Sequence, residues 1–326
     1  MNSLKLPARI AAMPKAELHL HLEGCIRPAI AQTLASRHGI ELAPGEVLQR
    51  YAYKNFAGFI EAFKWVTSFL GTPEDFALLA SDACEQLLEQ NVVYAEITLS
   101  VGVMLIRGQN PQANFEAIHE ATHPFEQRGL RLNWVFDAVR QFGPEAAMHV
   151  VEWAHRCTSP RIVAFGVGGN ELSVATKEFQ CAYERAGAYG LHRLMHAGEV
   201  GGPDKIREAI ELLGVERIGH GIAAFLDSAL MDLLAEKRIP LEICPVSNLR
   251  TGALGKQIHP RATLRDHPIV SLFRHGVPVV LSTDDPAMFH TSLTEEYEQV
   301  HAMGMTEEEL ARLVQQSFDS AFLSFG

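Results

Sequence analysis

The chain has 326 residues, room for one large α/β barrel or two average domains. Hydrophobic residues make up 47% and charged residues 21%, which excludes a disordered, collagen-like or coiled-coil chain. The formal net charge of −11 repels phosphate backbones and argues against a nucleic-acid partner.

No apolar run reaches the roughly 18 residues that a membrane helix needs, so no membrane association is expected. The first residues break at Pro7 and Pro14 and show no apolar leader core. Cys25, Cys84, Cys157, Cys181 and Cys244 are widely spaced and form no CxxC. Reduced thiols and a cytoplasmic setting are expected.

Along the chain, short apolar or β-branched runs alternate with amphipathic stretches. The first run is Ala16–Glu23. A long connection follows over residues 24–91, with helical patterns at Phe56–Phe69 and Pro73–Glu89. It is expected to stand over the C-terminal ends of the strands. Phe56, Phe59, Phe63, Trp65 and Phe69 read either as a lid wall over an apolar ligand or as the insertion's own small core.

The later runs are Val92–Ser100, Leu130–Val139, Ile162–Gly169, Leu191–Glu199, Arg217–Ile222, Pro240–Asn248 and Pro278–Asp285. Between them Asn114–Gln127, Pro144–Arg156, Ala175–Ala188, Asp204–Leu213 and Ser228–Glu236 carry apolar residues three and four apart. Ser173 and Asp227 are placed as helix N-caps. The tail after Thr294 reads as one or two closing helices. This alternation predicts a single domain over residues 1–326, a (β/α)8 TIM-type barrel with a helical insertion after strand one. A doubly wound open sheet is the structural alternative.

Chemically able side chains gather at the strand ends. Strand one ends His19-Leu20-His21-Leu22-Glu23-Gly24, and residues two apart on a strand share a face. Strand five ends His196-Ala197-Gly198-Glu199, strand six Gly219-His220-Gly221, and strand eight Ser282-Thr283-Asp284-Asp285-Pro286. Each motif alone could be structural; Asp284 and Asp285, for example, could cap a following helix. Together they place His, Asp or Glu at four strand ends on the face where barrel chemistry occurs.

His19, His21, His196 and Asp284 offer three nitrogens and a carboxylate, a donor set for Zn²⁺ with a position open for water. Fe²⁺ and Mn²⁺ are compatible with the same donors. Strand four ends Gly166-Val167-Gly168-Gly169-Asn170-Glu171 without a lysine, so one metal per chain is expected. His220 is placed to orient the water and take its proton. Glu199 can donate a proton to the leaving amine or the ring nitrogen beside it, given a raised pKa. Asp285 can bond substrate, and Gly168 and Gly169 permit close backbone approach of a flat ligand.

The combination Met13-Pro14-Lys15-Ala16-Glu17-Leu18-His19-Leu20-His21-Leu22-Glu23-Gly24, His196-Ala197-Gly198-Glu199, Gly219-His220-Gly221 and Ser282-Thr283-Asp284-Asp285-Pro286 resembles the adenosine and adenine deaminase family of the amidohydrolase superfamily. The resemblance implies a zinc-bearing barrel that converts the 6-amino group of a purine to a 6-oxo group and releases ammonia. It implies His19, His21, His196 and Asp284 as zinc ligands, Glu199 as donor to ring N1, and His220 beside the attacking hydroxide. It places Asp285 at N7 and the Gly169 backbone at N3.

Glu23 stands where adenosine deaminases of the family carry an Asp that holds the ribose, and adenine deaminases share the HLEG form. The end of strand four matches neither branch, and the end of strand two, Glu96-Ile97-Thr98-Leu99-Ser100, lacks the aromatic, Asp-bearing pattern associated with adenine deaminases. A small 6-aminopurine with a substituent, of the adenosine or 6-amino-6-deoxyfutalosine type, is therefore expected. Adenine deaminase is the alternative within the class. A purine-binding barrel without chemistry, or a two-metal hydrolase of another kind, are the alternatives outside it.

Overall fold

The computed structural model describes residues 5–323; residues 1–4 and 324–326, the two ends of the expected unit, lie outside them. Eight parallel strands run in sequential order: β1 (Lys15–His21), β2 (Val92–Leu99), β3 (Arg131–Val139), β4 (Ile162–Gly168), β5 (His192–Ala197), β6 (Arg217–His220), β7 (Leu241–Ile243) and β8 (Val279–Leu281). Every residue of β4 is buried, as the apolar run requires of a strand covered on both faces.

The sheet closes where β8 meets β1. Asp284 N–H donates to His19 O at 2.9 Å, and His21 N–H donates to Asp284 O at 2.8 Å. This closure excludes the open-sheet alternative and makes the fold a (β/α)8 barrel. It also locks three residues of the expected site to one another through the backbone.

Every strand is shorter than the apolar run that predicts it, β7 and β8 by the most. Pro245 opens a helix, Pro245–Arg250, and Pro286 opens Pro286–Phe289. Proline has no N–H for a ladder, and its fixed φ suits the first helical position. The 175–188 pattern splits into a 3₁₀ turn, Thr176–Phe179, and a helix, Gln180–Ala188. Ser173 is not an N-cap; its hydroxyl donates to Asn170 O at 2.7 Å within a turn. Asp227 does cap, accepting from Leu230 N–H at 3.0 Å.

The connection after β1 holds helices Pro28–Arg37, Glu46–Arg50, Phe56–Thr67 and Pro73–Glu89. The last packs against helix Pro111–Gln127 and β2, so it belongs to the outer ring of the barrel. Phe56–Thr67 reaches over the strand ends, and its first turn is held by Asn55, which accepts from Gly58 N–H at 3.0 Å. Among the described residues no helix is long and apolar enough to cross a membrane.

Candidate active site

The strand ends bring the expected residues together. One ligand atom each from His19, His196, His220 and Asp284 lies within 4.8 Å of all the others. His21 joins them at the edge, with Nε2 3.3 Å from Asp284 Oδ1. His19 and His21 project the same way because they are two apart on β1. His220 and Asp284 sit at φ 61° and 68°, left-handed values that non-glycine residues adopt only when the surroundings hold them.

The supports were not legible as motifs. His19 Nδ1 donates to Glu242 Oε2 at 2.7 Å, leaving its Nε2 buried and without a hydrogen-bond partner among the described residues. Arg217 Nε lies 2.6 Å from the other Glu242 oxygen, and the same guanidinium donates to Glu96. Ser247 Oγ donates to Asp284 Oδ2 at 2.6 Å. Four backbone N–H groups, from Gly198 to Gly201, donate to the Glu171 carboxylate and fix the loop that carries Glu199. Gln257 donates to the Glu199 and Gly201 carbonyls from the other side.

His220 is set by a relay. Ile269 N–H donates to His267 Nδ1 at 3.2 Å. Burial pushes His267 down to about 3, so the ring is neutral and its hydrogen is on Nε2, which donates to Asn248 Oδ1 at 3.2 Å. The Asn248 amide then donates to His220 Nδ1 at 3.1 Å. Burial also pushes His220 down to about 3. The network therefore assigns its single hydrogen to Nε2, which faces Glu199 at 3.8 Å and Asp284 at 3.9 Å.

Burial and charge separate the two aspartates. Burial alone would raise Asp284, but its contact with His19 and the nearby imidazoles hold it well below the usual range. Burial and the charge of Asp284 push Asp285 well above it. Glu199 is raised to about 8, first by burial and then by Asp284. Burial disfavours an imidazolium at His19, yet contacts with Asp284 and Glu242 outweigh it and lift the ring to about 10. The cluster thus attracts positive charge, and its buried Nε2, imidazoles and carboxylate suit a divalent metal.

A cavity of about 250 Å³ opens over this cluster, with Glu199, Asp285 and Gly169 in its wall. Gly169 takes φ +92° there. Gly168 does not reach the cavity; a Cβ on it would come 3.1 Å from His196 Cε1, so it makes room for that ring. Glu23 sits behind Ser100, which lines the cavity and whose N–H donates to the Glu23 carboxylate at 3.1 Å. Both readings of the aromatic cluster hold in part. Phe56, Phe59 and Phe63 line the cavity. Trp65 instead meets Phe69 edge to face, with the Arg50 guanidinium over its ring.

A closed parallel barrel with histidines, an ionised aspartate and a raised glutamate at its C-terminal face defines a metal-dependent barrel hydrolase. Residues 14–326 match the pattern described as adenosine deaminase. The chain belongs to the adenosine deaminase family and is a hydrolytic deaminase. It is 38% identical over 325 residues to the aminodeoxyfutalosine deaminase of Streptomyces coelicolor, covering 98% of this chain and 82% of that one. Among solved structures, an adenine deaminase from Arthrobacter aurescens superposes with TM-score 0.89 at 30% identity, over 96% of this chain and 95% of the other. An amidohydrolase from Burkholderia ambifaria with bound Zn shares the fold with TM-score 0.90 at 23% identity, over 99% and 91%.

Proposed function

We propose that the protein hydrolyses the C6–NH₂ bond of a 6-aminopurine nucleoside or nucleoside-like compound, of the adenosine or 6-amino-6-deoxyfutalosine type. One water adds at C6 and one ammonia leaves. The observation that carries this reading is a pair of buried acids, Glu199 and Asp285, both pushed toward the protonated form beside the cluster. N1 and N7 of a purine offer only lone pairs, so a site that reads them needs donors. Glu199 protonates N1 as C6 is attacked, and Asp285 donates to N7. Gly169, in the cavity wall, offers its N–H to N3.

His19, His21, His196 and Asp284 would hold one zinc ion, which supplies the Lewis acidity that makes water a nucleophile near neutral pH. His220 is left out of this set because its Nε2 carries a hydrogen. With that hydrogen, His220 donates to the attacking oxygen and holds it in line with C6 rather than accepting a proton as expected from sequence; of the two protons of water, one restores the proton Glu199 gives to N1 and the other completes the departing ammonia. A cytoplasmic setting fits the five free thiols, three of them buried.

Free adenine is the second reading. It is favoured by Glu23 in the HLEG motif and by the 30% identity to an adenine deaminase. Ammonia release from adenosine, deoxyadenosine, adenine and 6-amino-6-deoxyfutalosine by zinc-replete protein tests both. Turnover of a nucleoside at kcat/KM of roughly 10⁴ M⁻¹s⁻¹ or more supports the proposal. Turnover of adenine alone overturns it.

A further inference from the structure

The end of the barrel away from the cavity is closed by the chain that follows helix Glu307–Asp319. Arg217, the first residue of β6, lies buried there between two buried carboxylates, Glu96 of β2 and Glu242 of β7. Three main-chain groups of residues 320–322 enter this ion network. The guanidinium donates to Ser320 O at 2.9 Å, and Phe322 N–H donates to Glu96 Oε1. Asn133 donates to Phe322 O at 3.0 Å and to the Tyr94 hydroxyl at 2.9 Å, and that hydroxyl donates to Glu96 at 2.7 Å.

The Phe322 ring forms the outer layer. The Arg217 guanidinium lies over it, 3.7 Å from the ring centre. On its other face the His192 imidazole, whose side chain is 43% exposed, stacks at 4.0 Å with the planes 1° apart. One aromatic ring thus separates a buried cation from a side chain in water. Attraction between Arg217 and its carboxylates depends on keeping water out, and a buried ion network loses heavily when one partner is loosened. A barrel end must be filled by some apolar side chain, which by itself accounts for the ring. It does not account for the main-chain bonds that tie residues 320–322 to the ions.

We infer that Phe322 is a positioning residue for the metal site. It seals Arg217 from water, Arg217 holds one oxygen of Glu242, and the other oxygen holds Nδ1 of His19 at 2.7 Å. This rests on the metal reading of the cluster and is independent of which purine is turned over.

The test measures zinc affinity of the full-length protein by competition with a chromophoric chelator, in wild type, Phe322→Ala, Glu242→Gln and the double variant. Phe322→Ala should lower the affinity by about three-fold or more, less than the roughly 10–100-fold expected of a ligand's direct partner. In the Glu242→Gln background the same substitution should change it little, because the path to His19 is already cut. Unchanged affinity in Phe322→Ala overturns the inference, as does an equal loss in both backgrounds, which a plug acting on the whole fold would give. Phe322→Leu, which keeps apolar bulk without the aromatic face, takes the place of Phe322→Ala if that variant fails to fold. Wild-type protein that binds no zinc overturns the metal reading instead. Solvent exchange of the His19 Nδ1 hydrogen, followed by NMR of metal-free protein, then judges the coupling: faster exchange in the Phe322 variant supports it, and equal exchange overturns it.

Discussion

Glu242 holds Nδ1 of His19 at 2.7 Å from a position 223 residues away in sequence. The carboxylate is itself buried, and Arg217 on the neighbouring strand keeps it below the ordinary carboxylate range despite the cost of burial. An ionised acceptor on Nδ1 points the Nε2 lone pair of His19 into the cluster and raises its basicity. Glu242→Gln should weaken metal affinity by about 10–100-fold while the chain stays folded. Competition with a chromophoric chelator measures this directly. Unchanged affinity would remove Glu242 from the metal's support.

Glu199 makes a second prediction, with a sign. Its acid form is the donor, and burial raises it to about 8. The donor is therefore present at neutral pH and lost as pH rises through that value, so kcat/KM should fall on the alkaline side. Glu199→Gln should keep the metal and lose about 10²–10⁴ in kcat. A pH–rate profile and a metal assay on the same preparations check both; normal turnover in the variant sinks the N1-donor role.

The Asn248 relay gives a third. Asn248→Asp replaces the amide donor with an acceptor, which favours a hydrogen on Nδ1 of His220 and a bare Nε2 toward the site. Turnover should drop steeply with KM little changed, as expected when a catalytic imidazole is held in the wrong tautomer. Nitrogen-15 NMR of the imidazoles reads the tautomer independently of rate. Wild-type protein showing a bare Nε2 at His220 contradicts the donor role.

Gly24 supplies the fourth. A Cβ there would lie 2.1 Å from Asp285 Oδ1 and 2.5 Å from the Asp285 Cα, contacts that force the backbone to move. Gly24→Ala should destabilise the fold by about 1–3 kcal/mol. It should also raise KM, because Asp285 shifts. Thermal unfolding with steady-state kinetics tests it, and a variant with wild-type KM would show that the Asp285 position is not critical for binding.

The barrel and the strand-end residues were legible because both rest on local periodicity. Two-residue spacing aims His19 and His21 together whatever the rest of the chain does. Alternating apolar runs and amphipathic stretches leave a parallel barrel as the economical way to bury both faces of each strand. Gly24 was legible as part of a motif, but the reason it must be glycine lies in Asp285, across the β8–β1 closure.

Glu242, Asn248, His267 and Glu171 were illegible for the opposite reason. Each is an ordinary polar residue whose partner is distant in the chain, as Glu242 is from His19 or Asn248 from His220. Sequence determined which groups could do chemistry and roughly where they stand. Only the tertiary structure decided their protonation and tautomers, because those depend on burial and on hydrogen-bond partners that closure of the barrel brings together.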